Sequence, residues 1–384
     1  MRRLGIYLHI PFCVKKCAYC DFLSFPPQTG DMDSYCAALS AEMALYQKRM
    51  SGYLVDSIFV GGGTPTLLSG RQIAALLCAC RENFSVDAQA EITIEANPGS
   101  IDGEKADFCA RSGVNRVSFG LQATQDRLLA VLGRLHSGAD FEAGVRCFQR
   151  AGIHNISGDL MYGLPGQTAE DFVEAIDFVG FCGAQHISAY ALTIEEGTPL
   201  YAAVSSGDVS LPDEEGEIEQ ICAGRAALER AGYLRYEVSN YARRGHTCRH
   251  NLKYWTGDEY LGLGMGAHSF LREGAVTRFE NHCGLQDYIR RIAAEQFPVA
   301  QARLVDEKEQ MFEAVMLGLR LTEGIDLRGF YGRYGVDLLE RYAGALDKNR
   351  RLGLLRVAGG RVCLTQRGMD IMNTVLLDFM DVPA

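Results

Sequence analysis

Cys13, Cys17 and Cys20 place three thiols on one short loop in the spacing C-x3-C-x2-C. A cubane iron–sulfur cluster ordinarily takes four cysteine ligands. Three would leave one iron without a protein ligand and open to a small molecule. A zinc site is the competing reading, but zinc knuckles pair with a second C-x2-C or with histidines at matching distance. None stands near Cys13. A disulfide framework also fits poorly, because the thirteen cysteines are odd in number and mostly scattered singly. No signal peptide is legible at the N-terminus. The remaining cysteines read as small core residues or inert thiols.

Other chemistry-bearing residues recur at the ends of apolar runs. Gly61-Gly62-Gly63-Thr64-Pro65 follows Val60, and Glu95-Ala96-Asn97-Pro98 follows Ile94. Gly120-Leu121-Gln122 follows Phe119, and Asp159 lies within a run that ends in Gly163-Leu164-Pro165-Gly166. Glycine lets backbone approach a ligand and offer its N–H and C=O groups. Taken singly, each segment is an ordinary turn. Their recurrence at successive strand ends is what marks a site.

The elements that must position these residues alternate. Strands are expected at 5–10, 56–60, 91–96, 113–120, 156–162, 186–191 and 234–239. Helices are expected at 33–49, 70–81, 103–112, 141–151, 168–181 and 213–231, with Thr168 as a cap ahead of Glu170 and Asp171. This alternation predicts an α/β fold, a partial (β/α)6 barrel of parallel strands with helices outside. Chemistry in such folds sits at the C-terminal ends of the strands. From about Gln301 the texture changes. Helices at 309–320 and 338–346, a hairpin across Gly359-Gly360 and a last helix from Gln366 towards Phe379 predict a small α+β, winged-helix-like domain. The expected organisation is therefore 1–240 barrel, 241–300 connecting segment and 301–384 C-terminal domain.

Composition narrows the function classes. With 47% apolar and 22% charged residues, the chain can build a packed core and is not a disordered polymer. A net charge of −10 argues against nucleic acid as a partner, which calls for a basic face. No apolar run approaches the ~20 residues that span a bilayer. A reducing cytoplasm is the expected compartment, with peripheral membrane contact left open.

The motifs together resemble one family. Tyr7-Leu8-His9-Ile10-Pro11-Phe12-Cys13, Gly61-Gly62-Gly63-Thr64-Pro65-Thr66, Glu95-x-Asn97-Pro98, Arg116-x-Ser118-x-Gly120-x-Gln122, Gly133-Arg134-x-His136 and the run Gly158 to Gln167 are similar to the oxygen-independent coproporphyrinogen III oxidase family of radical S-adenosylmethionine (SAM) proteins. The resemblance implies that Cys13, Cys17 and Cys20 hold a 4Fe-4S cluster whose open iron chelates SAM. It also implies that Tyr7, Tyr19, Gly62, Gly63, Thr64, Glu95, Gln122, Arg134 and Asp159 bind SAM. Those residue types suit a SAM site, since carboxylates accept from ribose hydroxyls and the Arg134 fork suits a carboxylate. The cofactor would supply the hard chemistry and the protein orientation and shielding.

Two departures separate the branches of that family. Oxidases carry a fourth cysteine, C-x3-C-x2-C-x-C, where this chain has Asp21-Phe22. They also carry a long extension before the cluster, whereas Cys13 comes early here. The second branch, the HemW-type heme chaperones, has C-D-F at that place and a later H-N-x-x-Y-W motif. Both match Cys20-Asp21-Phe22 and His250-Asn251-Leu252-Lys253-Tyr254-Trp255. The resemblance therefore implies a heme chaperone that passes heme to an unidentified acceptor protein, with oxidative decarboxylation of coproporphyrinogen III as the alternative. Imidazole ligates heme iron and flat rings pack on the macrocycle, so His250 is the expected axial ligand. Cys248 is an alternative soft ligand and His268 a weaker one. Against this stands the ordinary role of a histidine among Asn, Tyr and Trp, a hydrogen-bonded structural ring.

Overall fold

The computed structural model of the protein describes residues 1–380, so the last four residues of the expected 301–384 domain lie outside it. Six strands, β1 (Arg2–Ile10), β2 (Tyr53–Gly62), β3 (Val86–Ala96), β4 (Arg116–Gln122), β5 (Asn155–Tyr162) and β6 (His186–Ala191), pair in parallel in sequence order. Their centres are buried, as expected of parallel strands covered on both faces. Helices α1 (Asp31–Tyr46), α2 (Gly70–Asn83), α3 (Gly103–Arg111), α4 (Asp126–Val131), α5 (Gly138–Arg150) and α6 (Ala169–Phe181) connect them. Three begin where a short polar side chain satisfies backbone N–H groups in a capping box: Ser69, Ser137 and Thr168. The expected (β/α)6 arrangement is what the chain adopts.

Helices α7 (Pro199–Ser205) and α8 (Glu214–Arg230) follow, and then two short strands, β7 (Leu234–Arg235) and β8 (Asn240–Ala242). The expected strand at 234–239 is therefore mostly a turn, in which the Tyr236 amide donates to the Asn240 carbonyl at 3.1 Å. Next comes α9 (Arg249–Thr256), which carries the H-N-x-x-Y-W motif. Strands β9 (Tyr260–Leu263), β10 (His268–Glu273), β11 (Ala275–Asn281) and β12 (Val299–Leu304) then extend the sheet beyond β1, with α10 (Leu285–Ala293) between the last two. The whole is one sheet of twelve strands, ordered β12-β11-β10-β9-β1-β2-β3-β4-β5-β6-β8-β7. Since β9 is parallel to β1, its C-terminal end emerges beside the cysteine loop.

Glycines hide this extension in the sequence. Gly-Leu-Gly-Met-Gly at 262–266 reads as a turn. Yet a Cβ on Gly262 would lie 2.2 Å from the His268 carbonyl oxygen, so glycine is there for close strand approach. The extension is locked by Glu42 of α1. Fully buried, it accepts from the Gly264 amide (2.7 Å), Asn281 Nδ2 (2.7 Å) and the Tyr288 hydroxyl (2.6 Å). Burial raises its carboxyl to about 7 even so.

The C-terminal region has its own apolar core. It comprises α11 (Glu307–Gly318), β13 (Ile325–Asp326), α12 (Leu327–Tyr334), α13 (Leu338–Arg341), α14 (Ala343–Arg351), β14 (Leu355–Ala358), β15 (Arg361–Leu364), α15 (Gln366–Asp370) and α16 (Met372–Met380). The expected hairpin is β14–β15. Two expected helices are each broken once, at Tyr342 (φ −113°) and at Ile371 (φ −121°). Among the described residues no helix is long and apolar enough to cross a membrane.

Candidate functional site

The loop that leaves β1 is fastened at several points. Phe12 bridges Phe25, the Cys13 amide donates to the Phe25 carbonyl at 3.1 Å, and the Ala18 amide donates to the Leu132 carbonyl at 3.0 Å. Cys13, Cys17 and Cys20 are free thiols, each half-buried, and all three line one cavity of about 530 Å³ at the C-terminal ends of the strands. Three partly buried, unpaired thiols on one fastened loop, all facing one cavity, are soft ligands of the kind that hold iron–sulfur clusters. The donor set therefore fits an iron–sulfur cluster.

The glycine run meets that loop directly. The Gly63 amide donates to the Ile10 carbonyl (2.8 Å) and the Thr64 amide to the Phe12 carbonyl (2.7 Å). A Cβ on Gly63 would stand 2.6 Å from the Phe12 carbonyl oxygen and 3.0 Å from Cys13 Sγ, so no side chain fits. Thr64 Oγ1 lies 3.5 Å from Cys13 Sγ. Gly62, at φ +115°, turns its amide to Glu95 Oε2 at 2.9 Å.

Two half-buried carboxyl groups line the cavity wall. Burial, and then the neighbouring Asp159, raise the Glu95 carboxyl to about 8. Burial also raises Asp159, while Ser118 (3.0 Å) and Ser157 (3.3 Å) donate to it and Arg116 faces it with positive charge. Arg134 donates to Asn97 Oδ1 (2.6 Å) and to the Tyr19 hydroxyl (2.8 Å). Gln122 is buried at φ +71° and accepts from the Tyr190 hydroxyl at 2.9 Å. A non-glycine residue in the left-handed region, at a shift in strand register and on a cavity wall, is strain stored where ligand contact is needed.

Of the residues expected at the site, Tyr19, Gly62, Gly63, Thr64, Glu95, Gln122, Arg134, Asp159 and the three cysteines line this one cavity. Tyr7 stands one ring behind it, stacked on Phe59, with its hydroxyl 3.0 Å from His9 Nδ1.

His250 is elsewhere. It is 1% exposed, with Nδ1 2.9 Å from Ser57 Oγ and Nε2 3.0 Å from the Tyr254 hydroxyl. Burial, then the Lys253 and Arg116 charges, lower its pKa to about 3. Both nitrogens are engaged, so the expectation of an axial ligand meets a sealed structural ring. Its helix is clamped to the barrel: Glu91 accepts from the amides of Arg249 and His250 at 2.9 Å each, and Lys253 pairs with Asp56 at 2.7 Å. Cys248 is fully buried, its thiol 3.6 Å from Glu91 Oε1. The next residue after His250, Asn251, does reach the cavity wall.

Arg116, Ser118 and Gly120 belong to one of the family-like motifs but are not among the expected site residues; with the expected Gln122 they all line the cavity, because side chains on β4 alternate between faces. That period of two is the available signal. Tyr190 and Ser188 on β6 offer none, since a tyrosine and a serine in a strand are unremarkable by type.

Residues 7–179 match the Radical SAM superfamily, and residues 305–371 match the HemN C-terminal domain. The chain is 37% identical to a protein named heme chaperone HemW of Mycobacterium tuberculosis (strain CDC 1551 / Oshkosh), over 97% of this chain and 93% of that one. It is 35% identical to the heme chaperone HemW of Bacillus subtilis (strain 168), over 97% and 98%. It is 40% identical to the mitochondrial radical S-adenosyl methionine domain-containing protein 1 of Bos taurus, over 84% and 74%. Among solved structures, coproporphyrinogen III oxidase (HemN) from Escherichia coli superposes with a TM-score of 0.86 at 24% identity, over 99% of this chain and 90% of that one. That likeness shows a shared fold.

Proposed function

Because the chain belongs to the heme chaperone HemW family, we propose that it binds heme, carries a SAM-ligated 4Fe-4S cluster, and delivers the heme to an acceptor protein. The observation that carries this reading is Phe22. It stands 64% exposed at the cavity mouth, where the oxidase branch has a fourth cysteine. A phenyl ring cannot do a thiol's chemistry, but it can pack on a flat apolar macrocycle.

Cys13, Cys17 and Cys20 would hold the cluster, and Tyr7, Tyr19, Gly62, Gly63, Thr64, Glu95, Gln122, Arg134 and Asp159 would hold SAM. When bound, the cluster and SAM supply one-electron chemistry. The chain's own residues orient and shield. Gly62 and Gly63 let backbone approach closely, Glu95 and Asp159 accept from hydroxyls, and Arg134 presents a planar fork. Thirteen free thiols support a reducing compartment such as the cytoplasm.

An anaerobic hemin titration followed by visible absorption tests the reading. Saturation near one heme per chain is expected, with transfer to apo-acceptor hemoproteins. The HemN-like fold favours one alternative, oxidation of coproporphyrinogen III. Stoichiometric protoporphyrinogen formation dependent on SAM and an electron donor would replace the chaperone reading with that one.

A further inference from the structure

If the chain carries heme, something must ligate its iron, and His250 is sealed. Eight histidines and thirteen cysteines are the imidazole and thiol ligands available. The structure removes most of them. Like His250, His9 and His186 have both ring nitrogens engaged: His9 by the Tyr7 hydroxyl and Leu23 carbonyl, His186 by Ser157 and the Tyr236 hydroxyl. His136 is buried against the Leu121 carbonyl, and His246 lies 3.4 Å from Asn155 Oδ1. His154 is exposed, but it precedes β5 at the N-terminal end of the barrel, away from the cavity.

Two histidines remain, and both lie at the cluster end of the sheet: His268, which opens β10, and His282, which follows β11. His268 Nδ1 already faces Glu280 at 3.5 Å. Outside the cluster loop, three cysteines are exposed. The thiols of Cys78 and Cys222 lie against Glu82 and Arg225. Cys283 adjoins His282 and, among the described residues, its thiol has no hydrogen-bond partner. Nowhere else among those residues does an exposed thiol adjoin an imidazole free of side-chain hydrogen bonds.

The pair is held firmly and faces the right neighbour. The His282 amide donates to the Pro298 carbonyl (2.9 Å), and its carbonyl accepts from the Gly266 amide (3.0 Å). Asn281 just before it is locked to Glu42. A Cβ placed on Gly266 would lie 3.6 Å from Cys283 Sγ and 2.3 Å from Leu23 Cδ2. The Cys283 thiol and Leu23 therefore flank one glycine, and Leu23 continues from the exposed ring of Phe22. Phe22 shares the cavity mouth with Lys16. One edge thus offers an iron ligand, an apolar plate and an ammonium group. Heme presents an iron, a flat macrocycle and two carboxylates.

We propose that one side chain of the His282–Cys283 pair, imidazole or thiolate, ligates the iron of bound heme, with the macrocycle against Phe22 and Leu23 and the propionates towards Lys16. The proposal rests on the heme-chaperone reading and adds the place of binding. Phe22, His282 and Cys283 are partly or fully exposed, so their variants should fold as the parent does.

The test is an anaerobic hemin titration of the full-length, cluster-loaded protein, comparing the parent with His282→Ala/Cys283→Ser, Phe22→Ser and His250→Gln. Expected are a shifted Soret band and about tenfold or greater weakening in the double variant, weakening without a band shift in Phe22→Ser, and an unchanged spectrum in His250→Gln. A double variant that binds as the parent does, or a loss confined to His250→Gln, overturns the inference and leaves the chaperone reading standing. A parent that fails to bind stoichiometrically sinks the reading itself.

Discussion

The cavity wall and the helix beneath it are built from the same residue types to opposite ends. Both contain buried carboxylates, hydroxyls, a tyrosine and an arginine or lysine. In α9 and its seat the charged groups and the histidine have partners, and Trp255 Nε1 is left without a hydrogen bond: His250 holds Ser57 and Tyr254, Glu91 holds two helix amides, and Lys253 holds Asp56. At the cavity, polar atoms are left open or strained. Arg116 is 1% exposed with Nε unpartnered, Gln122 has a positive φ, and two carboxyls share one wall. A satisfied network fixes structure, whereas an open one has capacity for a ligand. Motif resemblance marks both regions and cannot tell them apart. Counting hydrogen-bond partners can.

The sharpest way to break this comparison is at the three thiols. Replacing Cys13, Cys17 and Cys20 with alanine should reduce bound iron and sulfide to background while the melting temperature of the iron-free chain barely changes. Collapse of the fold instead would mean that the cysteines are structural and that the cavity is not an open site. Next in size is Gly63→Ala. Its methyl must displace backbone at Phe12 and crowd Cys13 Sγ, so cluster retention and SAM affinity should fall about 10–100-fold. A variant that loads normally would show that the glycine serves the turn alone.

On the saturated side the effect should be on stability and not on ligands. Lys253→Met strands Asp56 in a largely buried position, the two side chains being 6% and 14% exposed. Breaking such a pair costs about 3–5 kcal/mol. His250→Phe leaves two hydroxyls unpaired and should cost about 1–3 kcal/mol. Denaturant midpoints should drop in both, with SAM affinity kept within about twofold in whatever fraction stays folded. A selective loss of SAM binding at full stability would merge the two regions into one functional unit.

Much of this is legible in the sequence, and the gaps have physical causes. Strands β1 to β6 are readable because parallel strands buried on both faces are continuous apolar runs. Strands β9 to β12 are not, because glycines 262–266 serve strand contact and turn alike. The cluster loop and the glycine run are readable because their chemistry depends on residue type. His250 reads as a ligand, while the structure gives both its nitrogens hydrogen-bond partners, which type and neighbours do not reveal. Arg116 and Ser118 are visible in the motif, and their alternation with Gln122 is what places them on the same face. Tyr190 and His282 become notable only when strands distant in sequence meet at one end of the sheet.

The smallest expected effect discriminates most finely. Burial and Asp159 raise the Glu95 carboxyl from 4.5 to about 8, so the native chain holds a proton there that the unfolded chain has released. Native stability from this group must therefore decline as pH rises from about 4.5 to about 8, and level off above. Glu95→Gln removes that slope and keeps an oxygen to accept from the Gly62 amide. The melting-temperature difference, variant minus parent, should grow steadily across that window in favour of the variant. Above about pH 8, where the parent's Glu95 is ionised, SAM affinity should move the other way, since a neutral amide is a poorer acceptor for ribose hydroxyls than a carboxylate. A variant that is more stable and binds less well is the mark of a group kept for its ligand against the interest of the fold. Were Glu95→Gln instead to lose stability at every pH, Glu95 would belong with Glu91, as one more carboxylate whose partners are already inside the protein.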